Sequence, residues 1–146
     1  MEWVARQTNE FGDFGCATGI GIEENIGRPA WRIIAGVAYA EWNGVNVVCH
    51  IASDGSRQWL TRKYLWMIFD YPFRQLKVKR ITVCVGEGNA DSRRLVEHFG
   101  FELEAKLEKA HPTGDLLVYR MREPQCRYLR EPYAKQSGTA LLRAAA

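Results

Sequence analysis

At 146 residues, with 47% hydrophobic and 25% charged side chains, the chain is long enough for one domain with one core and too apolar for disorder. Its net charge is +3, and residues 122–146 alone hold five basic and two acidic residues, so the body is neutral. That balance argues against nucleic-acid binding, although the tail can meet an acidic partner.

The four cysteines, Cys16, Cys49, Cys84 and Cys126, are far apart and form no C-x-x-C, so no metal site is expected. Cys49 and Cys84 lie inside apolar runs and read as small buried hydrophobes. No secretory leader follows the acidic Met1-Glu2 start, and no apolar run reaches membrane-spanning length. A reduced, cytoplasmic, soluble protein without a membrane partner is the expectation.

In chain order, Glu2 to Asn9 reads as a short helix with Trp3 and Val4 turned inward. Cys16 to Ile22 alternates weakly and predicts a strand, and Asn25 to Pro29 a turn. Trp31 to Trp42 is a long strand. Asn43-Gly44 signals a hairpin with positive φ at both central residues, and Val45 to Ala52 is the returning strand. Arg57 to Tyr71 predicts a helix, apolar nearly all round from Tyr64 to Phe69, so it must be covered on more than one side. Pro72 is expected to end it and push Tyr71 toward extended backbone.

The stretch Lys79 to Glu104, KRITVCVGEGNADSRRLVEHFGFELE, carries the clearest signals. Ile81 to Val85 is a β-branched run suited to a buried strand. Gly86 and Gly88 break the chain, and Asn89 is a helix N-cap with Asp91 in the first turn. Leu95, Val96 and Phe99 recur at helical spacing, and Gly100 supplies a left-handed stop. Leu103, Ala105 and Leu107 then alternate with charged residues as a half-buried strand. His111-Pro112-Thr113-Gly114-Asp115 is a turn, and Leu116 to Met121 pairs back. The pattern fades beyond Met121. Residues 1–122 are expected to form the domain, and residues 123–146 an exposed C-terminal arm able to dock on a protein partner.

Taken together, Asn89, Ser92, Gly100 and Phe101, with Asp70-Tyr71-Pro72-Phe73 before them, resemble the second half of the GCN5-related N-acetyltransferase (GNAT) family. The resemblance covers roughly Gly15 to Met121. It is nearest in flavour to the ribosomal-protein N-terminal acetyltransferase branch, and to small GNAT-like bacteriophage proteins carrying a W-L-T-R run. It implies an α/β (α+β) fold: a mixed, mostly antiparallel six-stranded sheet with helices on both faces. The family's opening strand and two helices are shortened here.

The resemblance also implies acetyl-CoA as co-substrate and an amine as acceptor, on a small molecule or on a protein N-terminus or lysine. Acetyl-CoA would lie where the Val45–Ala52 and Ile81–Val85 strands splay apart. Backbone N–H groups near His50, Ile51, Ala52 and Ser53 would face the thioester. The diphosphate would rest at the N-terminus of the next helix, on Arg57, Gln58, Trp59, Leu60, Thr61 and Arg62. Asn89 and Ser92 would help hold the pantetheine. His50 and Glu41 are candidate general bases. Two residues depart from the family pattern. Trp59 stands where a glycine is expected, and Val96 where a helix tyrosine commonly protonates the thiolate. A weakly active or inactive GNAT-shaped assembly protein, in host cytoplasm or a phage particle, is the alternative these departures leave open.

Overall fold

The computed structural model describes Trp3, Val4, Arg6, residues 17–27 and residues 30–130. Cys16, most of the expected Glu2–Asn9 helix and residues 131–146 of the expected arm lie outside the described residues.

Six strands form one sheet: β1 (Thr18–Gly27), β2 (Ala30–Ala40), β3 (Asn46–Ser53), β4 (Arg80–Gly86), β5 (Glu102–His111) and β6 (Gly114–Arg122). Helix α1 (Arg62–Asp70) joins β3 to β4, and α2 (Ala90–Phe99) joins β4 to β5. The spatial order is β1-β2-β3-β4-β6-β5. Every neighbouring pair is antiparallel except β3 and β4. A parallel pair needs a crossover, and α1 supplies it.

Alternation along the strands gives the sheet two faces. Val37, Tyr39, Val47, Cys49, Ile81, Val83, Val85, Leu117, Tyr119 and Met121 are buried in one core with residues of α1 and α2. Tyr39 donates its hydroxyl to the Ile68 carbonyl at 2.7 Å, tying β2 to α1. The opposite face carries Ala38 and Ala52, against which Val4 packs, so helical residues lie on both faces.

A cluster of rings holds the helix face together. Phe69 of α1 stacks on Tyr128 at 4.9 Å and meets Phe99 of α2 edge-on at 6.0 Å. Phe99 also meets Trp59 at 6.1 Å, nearly at right angles. Such pairs add about 0.5–1.5 kcal/mol each beyond their area burial. Tyr128 belongs to a short 3-10 turn, Arg127–Leu129, that follows β6 and a first turn, Glu123–Gln125. Cys126, Tyr128 and Leu129 are all buried. The packed chain therefore continues past Arg122, and 126–129 is core rather than exposed arm. Sequence pattern fades there because single turns have no periodicity.

Several local expectations are corrected. Helix α1 begins at Arg62, not Arg57. Thr61 is its N-cap, accepting from the Tyr64 amide at 3.3 Å, which leaves 57–61 as a turn. Pro72 does not end the helix, and Tyr71 stays helical at φ −57°, ψ −57°. The chain widens into a π-helical turn, Tyr71–Gln75, with Pro72 at its second position, and the Ile68 carbonyl that Pro72 has no N–H to meet accepts from the Tyr39 hydroxyl instead. Gln75 there donates to buried Asp70 at 3.2 Å. The β2–β3 connection is longer than a two-residue hairpin: Glu41 and Gly44 have positive φ, while the Asn43 side chain accepts from the Val45 and Asn46 amides. In β5, a register shift between Leu103 and Ala105 sets Leu107 opposite Leu116, on the sheet face away from α1 and α2, where it is exposed; Leu103, ahead of the shift on this edge strand, is exposed as well. Cys84, expected inside, is exposed because it alternates with buried Val83 and Val85.

The α2 unit matches its reading closely. Asn89 accepts from the Ser92 amide at 3.0 Å, and Gly100 closes the helix at φ +97°. Asn89→Ala is expected to lower stability by about 1 kcal/mol. A urea melt checks this, and an unchanged midpoint would show that the cap contributes nothing.

Candidate acyl-transfer site

Strands β3 and β4 pair over only Asn46↔Arg80, Val47↔Ile81 and Val48↔Thr82. Beyond that level β3 keeps its pairing to β2 as far as Ser53, and β4 keeps its pairing to β6 as far as Gly86. The two inner edges, 49–53 and 83–86, are not paired to each other. They bound a split in the sheet whose strands are held from outside. Backbone donors and acceptors on such edges can meet an extended ligand, as in strand addition.

His50, Ile51 and Ala52 lie on the β3 arm just past the last paired residue, and Ser53 closes it. His50 is half-buried and falls on the sheet face opposite α1 and α2, as does Cys84 on the other arm. Cys49 faces the core, where burial pushes its thiol far above the ordinary range. Glu41 is not brought to the split. It is exposed in the β2–β3 turn, at the closed end where the strands still pair.

The chain leaves β3 through Asp54 and Gly55. The Ser56 amide donates to Asp54 Oδ1 at 2.9 Å, which with its second Ser56 contact holds the carboxyl below the usual carboxylate range. The turn continues with Leu60 N–H to the Arg57 carbonyl at 3.1 Å and Thr61 N–H to the Trp59 carbonyl at 2.8 Å. This turn swings the Trp59 indole into the core, where it is 2% exposed. Arg57, Gln58, Thr61 and Arg62 remain exposed, and Leu60 is half-buried. The helix dipole and the amides of the first turn of α1 face the same end.

At the far arm, Asn89 spends its side-chain oxygen on the Ser92 amide, and its own N–H bonds the Gly86 carbonyl at 2.9 Å. Val96 is buried, so that position faces the core. His111, expected only as part of a turn, has its ring laid on Gly86 by the β5–β6 hairpin. Its only sequence signal was a histidine beside a turn. Among the described residues, no His, Cys, Asp and Glu cluster is arranged to hold a metal ion. No helix among them is long and apolar enough to cross a membrane.

A sheet split beyond one short parallel contact, with a crossover helix starting beside it, leaves a groove between β3 and β4. Neither a protein-family model nor a curated protein matches the sequence. Solved structures do match. A spermidine N-acetyltransferase variant from Vibrio cholerae is 19% identical over 88% of this chain and 75% of its own, with a TM-score of 0.62. Ribosomal-protein-S5-alanine acetyltransferase from Vibrio fischeri is 17% identical over 66% of this chain and 57% of its own, with a TM-score of 0.54. A putative acetyltransferase from Salmonella typhimurium, solved with acetyl-CoA, is 18% identical over 62% of this chain and 58% of its own, with a TM-score of 0.53. This chain therefore spans less than two thirds of the last two. It has the GNAT fold.

Proposed function

We propose that this chain moves an acetyl group from acetyl-CoA to a primary amine. The observation that carries the reading is the split between β3 and β4, with Trp59 withdrawn from it into the core. A residue that breaks the family's glycine pattern need not fill the groove when its side chain points the other way. Acetyl-CoA, as the acyl donor, supplies an activated thioester. Its pantetheine arm would lie along the split, and its diphosphate at the first turn of α1 beside Arg57 and Arg62. Arginine is well suited to phosphate oxygens through charge-assisted, bidentate bonds.

Backbone N–H groups of the β3 arm, among His50, Ile51 and Ala52, would polarise the thioester carbonyl. Fixed amide donors aimed at developing negative charge are a large source of rate enhancement. Asn89 would hold the β4 arm by capping α2. The acceptor reads as a small-molecule amine or as a protein N-terminus or lysine. The printed activities of the matched structures, on spermidine and on an S5 alanine, belong to both classes. Cys49, Cys84 and Cys126 are in no disulfide, in keeping with a cytoplasmic setting.

Val96 leaves no phenol at the usual acid position. A thiol leaves readily as thiolate, so this slows transfer without forbidding it. Thermal unfolding with added CoA tests the reading. At a hundredfold excess over Kd, stability should rise by about 2.7 kcal/mol. An unmoved transition up to millimolar CoA would remove the cofactor and the function with it.

A further inference from the structure

The end of the β4 arm is gripped from both faces of the sheet by the β5–β6 hairpin. Lys106 of β5 pairs with buried Leu117, so it stands on the face that carries α1 and α2. There its Nζ bonds Glu87 Oε1 at 2.6 Å and Asp115 Oδ2 at 3.0 Å. Glu87 is the first residue past β4, and Asp115 lies at the start of β6. One ammonium therefore ties the loop after β4 to both strands of the hairpin. The Glu87 amide also donates to the Asp115 carbonyl at 2.9 Å, one step beyond the last β4–β6 pair, Gly86↔Leu116. Asp115 Oδ1 accepts from the Lys109 amide at 2.9 Å, so this carboxylate is itself fixed.

On the opposite face the His111 ring covers Gly86. A Cβ there would lie 2.8 Å from His111 Cε1 and 2.9 Å from Nε2. Gly86 is not among the glycines with positive φ, so room for the ring is what asks for glycine. The Thr113 amide donates to His111 Nδ1 at 3.3 Å and holds the ring in place. The start of α2 is tied to the same loop. The Asn89 amide bonds the Gly86 carbonyl at 2.9 Å, and Arg93 donates to the Glu87 carbonyl at 3.3 Å. The inner edge 83–86 is not paired to β3, so the position of this arm is set from its outer side.

We propose that the β5–β6 hairpin clamps the β4 side of the acetyl-CoA groove, with Lys106 as the positioning residue. The proposal rests on the acetyl-transfer reading, in which the pantetheine arm lies along the split. Lys106 acts through Glu87, not on the cofactor itself. It holds Glu87 against the hairpin, which sets how far the β4 arm and the start of α2 stand from β3. A groove wall placed before binding spares the loss of freedom that ordering it on binding would bring. Loosening the clamp therefore weakens acetyl-CoA binding and leaves the chemical step alone. The Lys106 and Glu87 side chains are 47% and 46% exposed, so solvent screens the pair and the effect is modest.

The test uses the full chain with acetyl-CoA, following thiol release with a linear polyamine and an alanine-headed peptide as acceptors. Lys106→Met should raise KM for acetyl-CoA and Kd for CoA by about fivefold, the upper end for exposed ion pairs, with kcat within about twofold. Its urea midpoint should not move. Lys106→Arg keeps the cation and should stay within about twofold of the parent in both constants. Without any cofactor, hydrogen exchange at the Glu87 and Asn89 amides should quicken about fivefold in Lys106→Met and keep the parent rate in Lys106→Arg. Parental exchange at both amides in Lys106→Met overturns the clamp. Faster exchange, or a lower urea midpoint, with KM and Kd unchanged makes Lys106 a structural contact only and overturns the proposal while the acetyl-transfer reading stands. A parent that neither binds CoA nor releases thiol overturns that reading and the proposal with it.

Discussion

A chain ended after Arg122 should fail to hold its fold. Ending it there removes Tyr128, which is 1% exposed and stacks on Phe69 with an interplanar angle of 8°. It also removes Leu129 and Cys126, both buried. Deleting one large buried ring costs about 3–5 kcal/mol, and a buried leucine about 2–5 kcal/mol. A domain holds only about 5–15 kcal/mol in all, so the losses consume most of it. The single substitution Tyr128→Ala isolates the ring and should lower unfolding free energy by about 3–5 kcal/mol in urea. The Arg127 guanidinium lies 5.0 Å from the Tyr128 ring centre and donates to the His98 carbonyl at 2.7 Å, so the turn also clips onto the end of α2. A truncated chain with an unchanged urea midpoint would show that 126–129 is a passenger.

Trp59→Gly should be nearly as damaging, although it restores the residue that the family pattern expects. The indole is buried against Phe99, so its removal opens a cavity between the loop and α2. The expected cost is about 3–5 kcal/mol, with a further fraction from glycine's backbone freedom. Trp59→Phe keeps an aromatic partner for Phe99 and should lose less than the glycine variant. At a temperature where the variants remain folded, CoA affinity should change little, because the diphosphate contacts proposed above are Arg57, Arg62 and backbone groups, while the indole is buried in the core. A glycine variant as stable as the parent would mean that Trp59 is not a core residue. One that gained CoA affinity by orders of magnitude would mean that the indole obstructs the groove.

Where the chain carried explicit stop and start chemistry, the sequence was sufficient. The Asn89 cap, Gly100 and Phe101 placed α2 correctly, and the order of strands and helices follows from the same signals. Continuous apolarity from Tyr64 to Phe69 hides where α1 begins, because it gives no signal that separates the Thr61 cap from the helix. Leu107 departs from the alternation for a different reason: one extra residue in a strand reverses the facing of everything after it, and a bulge has no composition of its own. Cys84 was legible in principle, since strict alternation with Val83 and Val85 places it outside. Tyr128 and His111 were not. Each owes its position to contacts with residues far away in sequence, Phe69 for one and Gly86 for the other. For the site, the splayed pair could be anticipated from the family order. The withdrawal of Trp59 and the displacement of Glu41 to the closed end were settled by turn geometry.

Amide chemical-shift mapping of the full chain titrated with CoA bears most directly on whether the gap in the sheet is a cofactor groove. The amides expected to move are those of residues 50–53, 57–63 and 84–89, with the body of β1 and the outer strand β5 unmoved. Saturation at millimolar CoA or below, confined to those three stretches, is the result this account requires. Shifts absent throughout, or gathered on the β1 edge with the split silent, would contradict it.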